Sequence, residues 1–413
     1  MTERPDWTGR RLEVEIGPVA HGGHCVARYE GRVVFVRHAL PGEVVVAEVT
    51  EDAGGGFCRA DAVEVLTAAP GRVSPPCPMA DMALGRDRCG GCDWQHASGE
   101  TQRELKAAVI AEQLQRIAGL DWPVRVQELP GGLLRWRSRA RLAVDRKGQA
   151  GFRAHRSHRV IPVEDCPITV EGALAEVTNR RWRPGAELTV AADSTGDVHV
   201  TAVDHKPQRR HGRAVARQVQ GSGVARESAA GRSFDVEVQG FWQVHKAAPD
   251  AFTEVVARLA AAPAGGVAWD LYGGVGLFAA VLAEQVGPAG SVVLVESSKR
   301  AVEDAVANLR DLPQVSFRAG MVEAVATDED LSAPDVVVLD PPRKGAGRDV
   351  VESVTARRPA RIVHVACDPA ALARDVGLFA ERGYRMTELE AFDAFPMTHH
   401  IECIALLEPV DPD

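Results

Sequence analysis

Over residues 9–67 apolar and polar positions alternate in short bursts, RLEVEIG, HCVARYEG, RVVFVRH, EVVVAEVTE and AVEVL, separated by Gly-Gly, Glu-Gly, Pro-Gly and Gly-Gly-Gly turns. A period of two broken by turn residues predicts strands with one buried face, and five short ones predict a small β-barrel over residues 1–68. The stretch PGRVSPPCPMADMALGRDRCGGCDWQH has no sustained period, so only ligation or packing by neighbours can order it. A helix is expected from about Gly99 to Ala118, then strands to about residue 240, giving a mostly β central domain over 69–240. A hairpin is plain in AELTVAADSTGDVHVTAVD, and KPQRRHGRAVARQVQGSGVARESAAGR reads as loop or strand edge.

From about Asp250 the pattern changes to helices alternating with apolar runs: VAWDLYGG, SVVLVESS, VSFRAG, DVVVLDPP, RIVHVACDP, YRMTELEAFDA and IECIALLE. Apolar strands between helical stretches predict an α/β fold, a doubly wound parallel sheet covered on both faces, over residues 241–413. Ligands of such sheets bind beyond the carboxyl ends of the strands. Asp270 to Gly276, Glu296, Asp340 to Arg343 and Cys367 to Pro369 each follow a strand and so form one candidate site.

Composition sharpens this picture. A chain of 413 residues, 45% hydrophobic and 25% charged, fits three globular units, and no apolar run nears the roughly eighteen residues that span a bilayer. The start, MTERPDWTGRRLEVEI, has no apolar targeting segment, so a cytoplasmic protein without membrane contact is expected. A net charge of -9 argues against indiscriminate coating of nucleic acid. Yet Gly131 to Val160 holds eight arginines and one lysine against one acid, Asp145. In that run Arg135, Arg137 and Arg139 have the spacing of one strand face, with Trp136 available to stack on a base.

Eight cysteines in a reducing compartment point to metal ligands or catalytic groups before disulfides. Cys77, Cys89, Cys92 and the distant Cys166 can give four thiolates to one centre, which suits zinc or an iron-sulfur cube equally. Cys25, Cys58 and Cys403 lie within strands and read as core.

Asp270-Leu-Tyr-Gly-Gly-Val-Gly276 follows a strand and opens a helix, where glycines let a ligand approach the backbone. Glu296 ends the next strand, where a carboxylate can hold both hydroxyls of a ribose. A nicotinamide enzyme would share that carboxylate. The absence of a full G-x-G-x-x-G, together with Asp270 and Asp340-Pro-Pro-Arg, favours S-adenosylmethionine.

Asp340-Pro-Pro-Arg-Lys-Gly, His-Val-Ala-Cys367-Asp-Pro-Ala-Ala-Leu-Ala-Arg-Asp and Asp393-Ala-Phe-Pro-Met-Thr-His-His-Ile-Glu402 closely resemble the bacterial RNA uracil-5-methyltransferases of ribosomal RNA and tRNA. The resemblance extends back through Gly240-Phe-Trp-Gln243-Val and Cys-Gly-Gly-Cys-Asp-Trp-Gln-His to an N-terminal segment like the TRAM domain, an OB-like RNA-binding barrel. It implies a Rossmann-like class I methyltransferase domain, Cys367 as nucleophile and Glu402 as the base that removes the C5 proton. It also implies S-adenosylmethionine contacts from Gln243, Tyr272, Gly274, Gly276, Glu296 and Asp340, and a [4Fe-4S] cluster, with zinc as the alternative. Arg343 beside the pocket is expected on backbone phosphates. The expected partner is RNA, ribosomal before transfer RNA, and the chain is expected to act as a monomer. Departures are His245, Gly273 and Leu277, where the family often has Asn, Cys and Asn, and eleven residues between Cys77 and Cys89 in place of five.

Uracil C5 is a poor nucleophile. Adding a thiolate to C6 makes an enolate with electron density at C5, and a base must then take the C5 proton so that the thiolate can leave. A free cysteine is only a few per cent thiolate at neutral pH. Asp368 as cap and Pro369 as first helical residue place Cys367 at a helix start, whose dipole is expected to favour the thiolate. A DNA cytosine-C5 methyltransferase shares the C6 logic but carries its nucleophile as Pro-Cys, whereas here the order is Cys-Asp-Pro. An iron-sulfur RNA-binding protein with an inactive methylase domain is disfavoured by intact Cys367, Glu402 and Asp340.

Overall fold

The computed structural model describes residues 5–204 and 215–410. The N-terminal strands are β1 (Arg11–Glu15), β2 (Cys25–Tyr29), β3 (Arg32–Arg37), β4 (Val44–Glu51) and β5 (Phe57–Thr67), ordered β1-β4-β5-β3-β2. Burial alternates along them, and Leu12, Val14, Val34, Val36, Val45 and Ala47 fill the inside of this curled sheet. Cys25 and Cys58 are buried among them, as expected of core residues.

Helix α1 (Gly99–Gln113) begins at Ser98, whose hydroxyl accepts the Thr101 N–H, and runs on as one π turn to Ala118. After it comes β6 (Val126–Glu128). The central sheet contains β7 (Arg139–Val144), β8 (Ala150–Arg153), β9 (Val160–Pro162), β10 (Glu187–Ala192), β11 (Val198–Asp204) and β12 (Val215–Gln220). Its order is β12-β11-β10-β7-β8-β9, with the short α2 (Ala175–Thr178) between β9 and β10. β10 and β11 form the expected hairpin, its turn held by Asp193, which accepts the N–H groups of Thr195 and Asp197. Residues 205–214 of the expected loop lie outside the described residues, and the remainder forms β12, β13 (Val224–Ala229) and β14 (Arg232–Glu237).

The C-terminal part alternates α3 (Ala248–Ala260), β15 (Val267–Leu271), α4 (Leu277–Val286), β16 (Ser291–Glu296), α5 (Lys299–Asn308), β17 (Val315–Ala319), α6 (Val322–Val325) and β18 (Val336–Leu339). It continues with α7 (Gly347–Ala356), β19 (Arg361–Ala366), α8 (Pro369–Ala380), β20 (Tyr384–Asp393) and β21 (Glu402–Pro409). The sheet order is β17-β16-β15-β18-β19-β21-β20-β6. β17 to β19 run parallel, and β21 enters antiparallel. Inner strands such as β18 are buried throughout because helices cover both faces. Cys403 is buried in β21.

Packing divides the chain differently from the expected 69–240 unit. β6 pairs with β20, and Ile110 and Leu114 of the first helix bury against the same core as Leu372 and Phe379 of α8. The β13–β14 hairpin sends Phe234 and Val236 into the core under α3. A lone helix and a three-residue strand cannot bury their apolar sides alone, so they complete the C-terminal sheet. Among the described residues no helix is long and apolar enough to cross a membrane.

Candidate active site at the strand ends

Asp270, inside β15, is fully buried; one carboxylate oxygen accepts the Ala279 N–H at 2.8 Å and the other has no partner. Burial pushes its carboxyl up to about 8. The turn that follows is built on left-handed residues, Tyr272 (φ 64°), Gly274 (φ 53°) and Gly276 (φ 96°). A side chain at Gly273 would meet Leu294 at 2.7 Å and Asp270 at 2.9 Å, so a cysteine there would require these neighbours to shift. Glu296, ending β16, accepts the N–H of Gly274 at 3.2 Å and of Ser298 at 2.7 Å, so its carboxylate is fixed beside the glycine turn. Tyr272, Gly274, Gly276 and Glu296 thus come together as expected. Gln243 is buried on the segment leading into α3 and makes no hydrogen bond to them. Leu277 is buried as the first residue of α4.

Asp340, Cys367 and Glu402 follow or begin three adjacent strands, β18, β19 and β21, and feel one another's charge. Asp340 keeps some exposed surface, yet its low-dielectric surroundings push its carboxyl up to about 7. Glu402 is buried, and burial and the charge of Asp340 push its carboxyl well up, opposed by Arg343. Cys367 is half-buried, its thiol pushed up to about 12 by burial and then by Glu402 and Asp340. The cap is as expected, Asp368 accepting the Ala371 N–H at 2.8 Å. Its expected consequence does not follow: burial first, then the charges of Glu402 and Asp340, push the thiol up and not down. Cys367 opens on a hollow of about 90 Å³, shared with Arg343, His399, His400 and the barrel turn His21 to Gly23.

A second hollow, about 700 Å³, is lined by all four predicted ligands, Cys77, Cys89, Cys92 and Cys166. Burial raises the thiols of Cys89, to about 11, and Cys92, and the neighbouring cysteines add to both. Gly91 N–H donates to Cys89 Sγ at 3.4 Å and the Gln95 amide to Cys92 Sγ at 3.3 Å. Among the described residues no three or more of these side chains stand in a metal-holding arrangement.

The arginine run is not an exposed strand face. β7 starts only at Arg139, because Arg135 is left-handed (φ 57°) and its segment pairs instead with residues 167–170. Arg135 binds Asp165 at 2.7 Å and the Cys166 carbonyl at 3.2 Å. Arg139 is buried on Glu227 at 3.0 Å. Trp136 is fully buried under His245, the rings parallel and 5.5 Å apart, so it cannot stack on a base. That stack is also what His245 does in place of the family's asparagine. Arg137 is half-buried, donates to the Arg139 carbonyl at 2.8 Å, and no carboxylate pairs with it among the described residues. The run braces the fourth cysteine, while Arg141 and Arg343 stay exposed.

Sequence reasoning missed the ties that set the loop before Glu402. Asp93 and Trp94 N–H both donate to the Met397 carbonyl, at 2.9 and 3.0 Å. Asp93 accepts from His399 Nδ1 at 2.6 Å, and fully buried Lys106 donates to Asp393 at 2.5 Å. Asp93 directly follows Cys92, so a polar residue beside a predicted ligand was the available signal.

A parallel sheet with a glycine turn, an acidic second strand and a reactive cleft at its carboxyl ends defines a class I methyltransferase fold. Residues 7–63 match the TRAM domain family and residues 327–410 the family described as tRNA (Uracil-5-)-methyltransferase. An uncharacterised RNA methyltransferase of Streptomyces avermitilis is 47% identical, over 97% of this chain and 99% of that protein. One of Corynebacterium glutamicum is 38% identical over 96% and 97%. The chain belongs to the S-adenosylmethionine-dependent RNA (uracil-5-)-methyltransferase family. Its fold matches the crystal structure of Pyrococcus abyssi tRNA (uracil-54, C5)-methyltransferase with S-adenosyl-L-homocysteine, with a TM-score of 0.71, 22% identity, and 96% and 100% of the two chains covered.

Proposed function

We propose that this protein methylates C5 of a uridine in RNA through a covalent Cys367–C6 bond. The observation that carries this reading is the convergence of Cys367, Asp340 and Glu402 at three adjacent strand ends, within one charge network. When bound, S-adenosylmethionine supplies an electrophilic methyl group; Glu296 would hold its ribose hydroxyls, and Tyr272, Gly274, Gly276, Gln243 and Asp340 would contact the rest. Asp340, its carboxyl raised by burial and its charge facing Cys367, is the candidate to take the thiol proton as the sulfur adds to the ring. The Cys367 sulfur then bonds to C6 and the ring electrons move toward C5, which takes the methyl group. Ionised Glu402 removes the C5 proton, and the C6–S bond breaks to restore the ring. Activity therefore rises with pH as the paired carboxyls lose their protons.

The target base must leave its stack to reach Cys367, so a flipped or single-stranded uridine is expected. Exposed Arg343 and Arg141 are the candidates for phosphate contact. Ribosomal RNA, 23S in particular, is the favoured substrate, on the resemblance of the TRAM barrel and cysteine set to the ribosomal branch. A tRNA substrate is the second reading, supported by the full-length likeness to the Pyrococcus abyssi enzyme.

The donor set of four cysteines suits a [4Fe-4S] cluster, with zinc as the alternative, and would have to draw together to hold either. They line one hollow, two sulfurs already accept N–H groups, and the Arg137 guanidinium beside them lacks a carboxylate partner among the described residues but faces Cys166 and Cys92. A cation left unpaired at such a site is costly, and a tetrathiolate centre with net negative charge would balance it. Iron, sulfide and zinc analysis of the purified protein tests this.

RNA containing 5-fluorouridine tests the reaction, because fluorine cannot leave C5 as a proton and the adduct is trapped. A cofactor-dependent adduct is expected with the wild type and none with Cys367→Ala; no wild-type adduct overturns the mechanism.

A further inference from the structure

The hollow at Cys367 is not made by the catalytic domain alone. His21, Gly22 and Gly23, from the turn before β2 of the barrel, line it opposite Arg343, His399 and His400. The turn is held there by three observations. Trp94 donates its indole N–H to the Gly23 carbonyl at 3.1 Å. Gly23 sits so close to His399 that a side chain would meet its Cβ at 2.7 Å, and Gly23 is left-handed (φ 81°). His21 Nε2 lies 3.1 Å from Asp368 Oδ2, while Asp368 Oδ1 caps α8.

We propose that the His21-Gly22-Gly23 turn of the barrel is a wall of the pocket that accepts the target uridine, and that His21 is a positioning residue holding Asp368, and through it Cys367. This rests on the proposed uridine methylation. One oxygen of Asp368 orients the helix that starts after Cys367, and the other is fixed by a residue from more than three hundred positions upstream. The charge of Asp368 also opposes a thiolate at Cys367. A protonated His21 neutralises that charge. The bond to Asp368 raises the His21 pKa, and the other charged groups facing it, Glu112 and Arg116 on α1 and the π turn, act in opposite directions. The barrel is thus part of the reaction centre as well as an RNA-binding module.

The test is the single-turnover rate of adduct formation on 5-fluorouridine RNA at saturating RNA, for full-length wild type, His21→Ala and His21→Gln, with S-adenosylmethionine affinity measured by calorimetry. His21→Ala is expected to slow adduct formation by about tenfold or more, the scale of a small misplacement of a reacting group, with cofactor affinity unchanged. His21→Gln keeps a donor without the charge, so its deficit should be largest at low pH and shrink as pH rises through the His21 pKa and wild-type His21 loses its proton. Wild-type adduct rates in both variants, or a loss confined to RNA affinity, overturn the proposal. Failure of the wild type to form an adduct overturns the methylation reading and this inference with it.

Discussion

The hollow at Cys367 and the one shared by Cys77, Cys89, Cys92 and Cys166 carry charges opposite in kind. At the strand ends Cys367 faces Asp340 and Glu402, with exposed Arg343 as the opposing cation. Beside the central sheet four cysteines line a hollow with Arg137, and among the described residues no carboxylate pairs with it. The first arrangement holds protons that can move, because carboxyls raised toward neutral pH exchange them readily. In the second, the Arg137 guanidinium, without a carboxylate partner among the described residues, calls for a permanent centre of net negative charge, such as four thiolates on a metal. On the proposed function one residue type would serve for transient bonding in one place and for lasting ligation in the other, and the neighbouring charges would decide which.

The comparison breaks most sharply at Cys367. Cys367→Ala should lower methylation by about 10⁴-fold or more, the scale of losing a nucleophile, measured with labelled cofactor. Glu402→Gln should form the adduct on ordinary uridine RNA but release it about 10²–10⁴-fold more slowly, so that a covalent protein–RNA species accumulates on a denaturing gel. Normal turnover by that variant would remove Glu402 as the base.

The second hollow is sharpened by Cys92→Ser, which should cost bound iron or zinc and lower the melting midpoint by about 5 °C. Equal metal content and equal melting would make these cysteines ordinary packing. The smallest effect is expected at Asp270. Its folded carboxyl stands near 8 against an ordinary value near 4, so the folded state binds more protons than the unfolded one between those values. Wild-type stability therefore falls as pH rises from about 4 to 8. Asp270→Asn, which keeps an acceptor for Ala279, should escape that fall and be more stable by roughly 1 kcal/mol or more at pH 8 in urea titrations.

Much of the catalytic sheet was legible, because period and position encode it directly. Seven apolar runs became β15 to β21, and the residues just past them became the cleft. Cys25, Cys58 and Cys403 were readable as core for the same reason. The arginine run was not legible, since alternation records a possible face without saying what covers it; Asp165 and Glu227 are distant in sequence and claim Arg135 and Arg139. The thiol of Cys367 was misread because the helix start is local, whereas the opposing carboxylates come from other strands. The ties of Asp93 to His399 and of His21 to Asp368 cross about three hundred residues or more, beyond any local signal.

The edge strand β6 has a consequence for how this protein is made. Val126 pairs with Ala391, about 265 residues later, and α1 buries Ile110 and Leu114 beside α8. At about 5–20 residues per second, a ribosome needs roughly 15 to 50 s to deliver those partners. For that interval Leu105 and Val109 of the helix can pack with the barrel, but Ile110 and Leu114 have no core to enter, a time window in which chaperones have a defined client and truncated chains a defined fate.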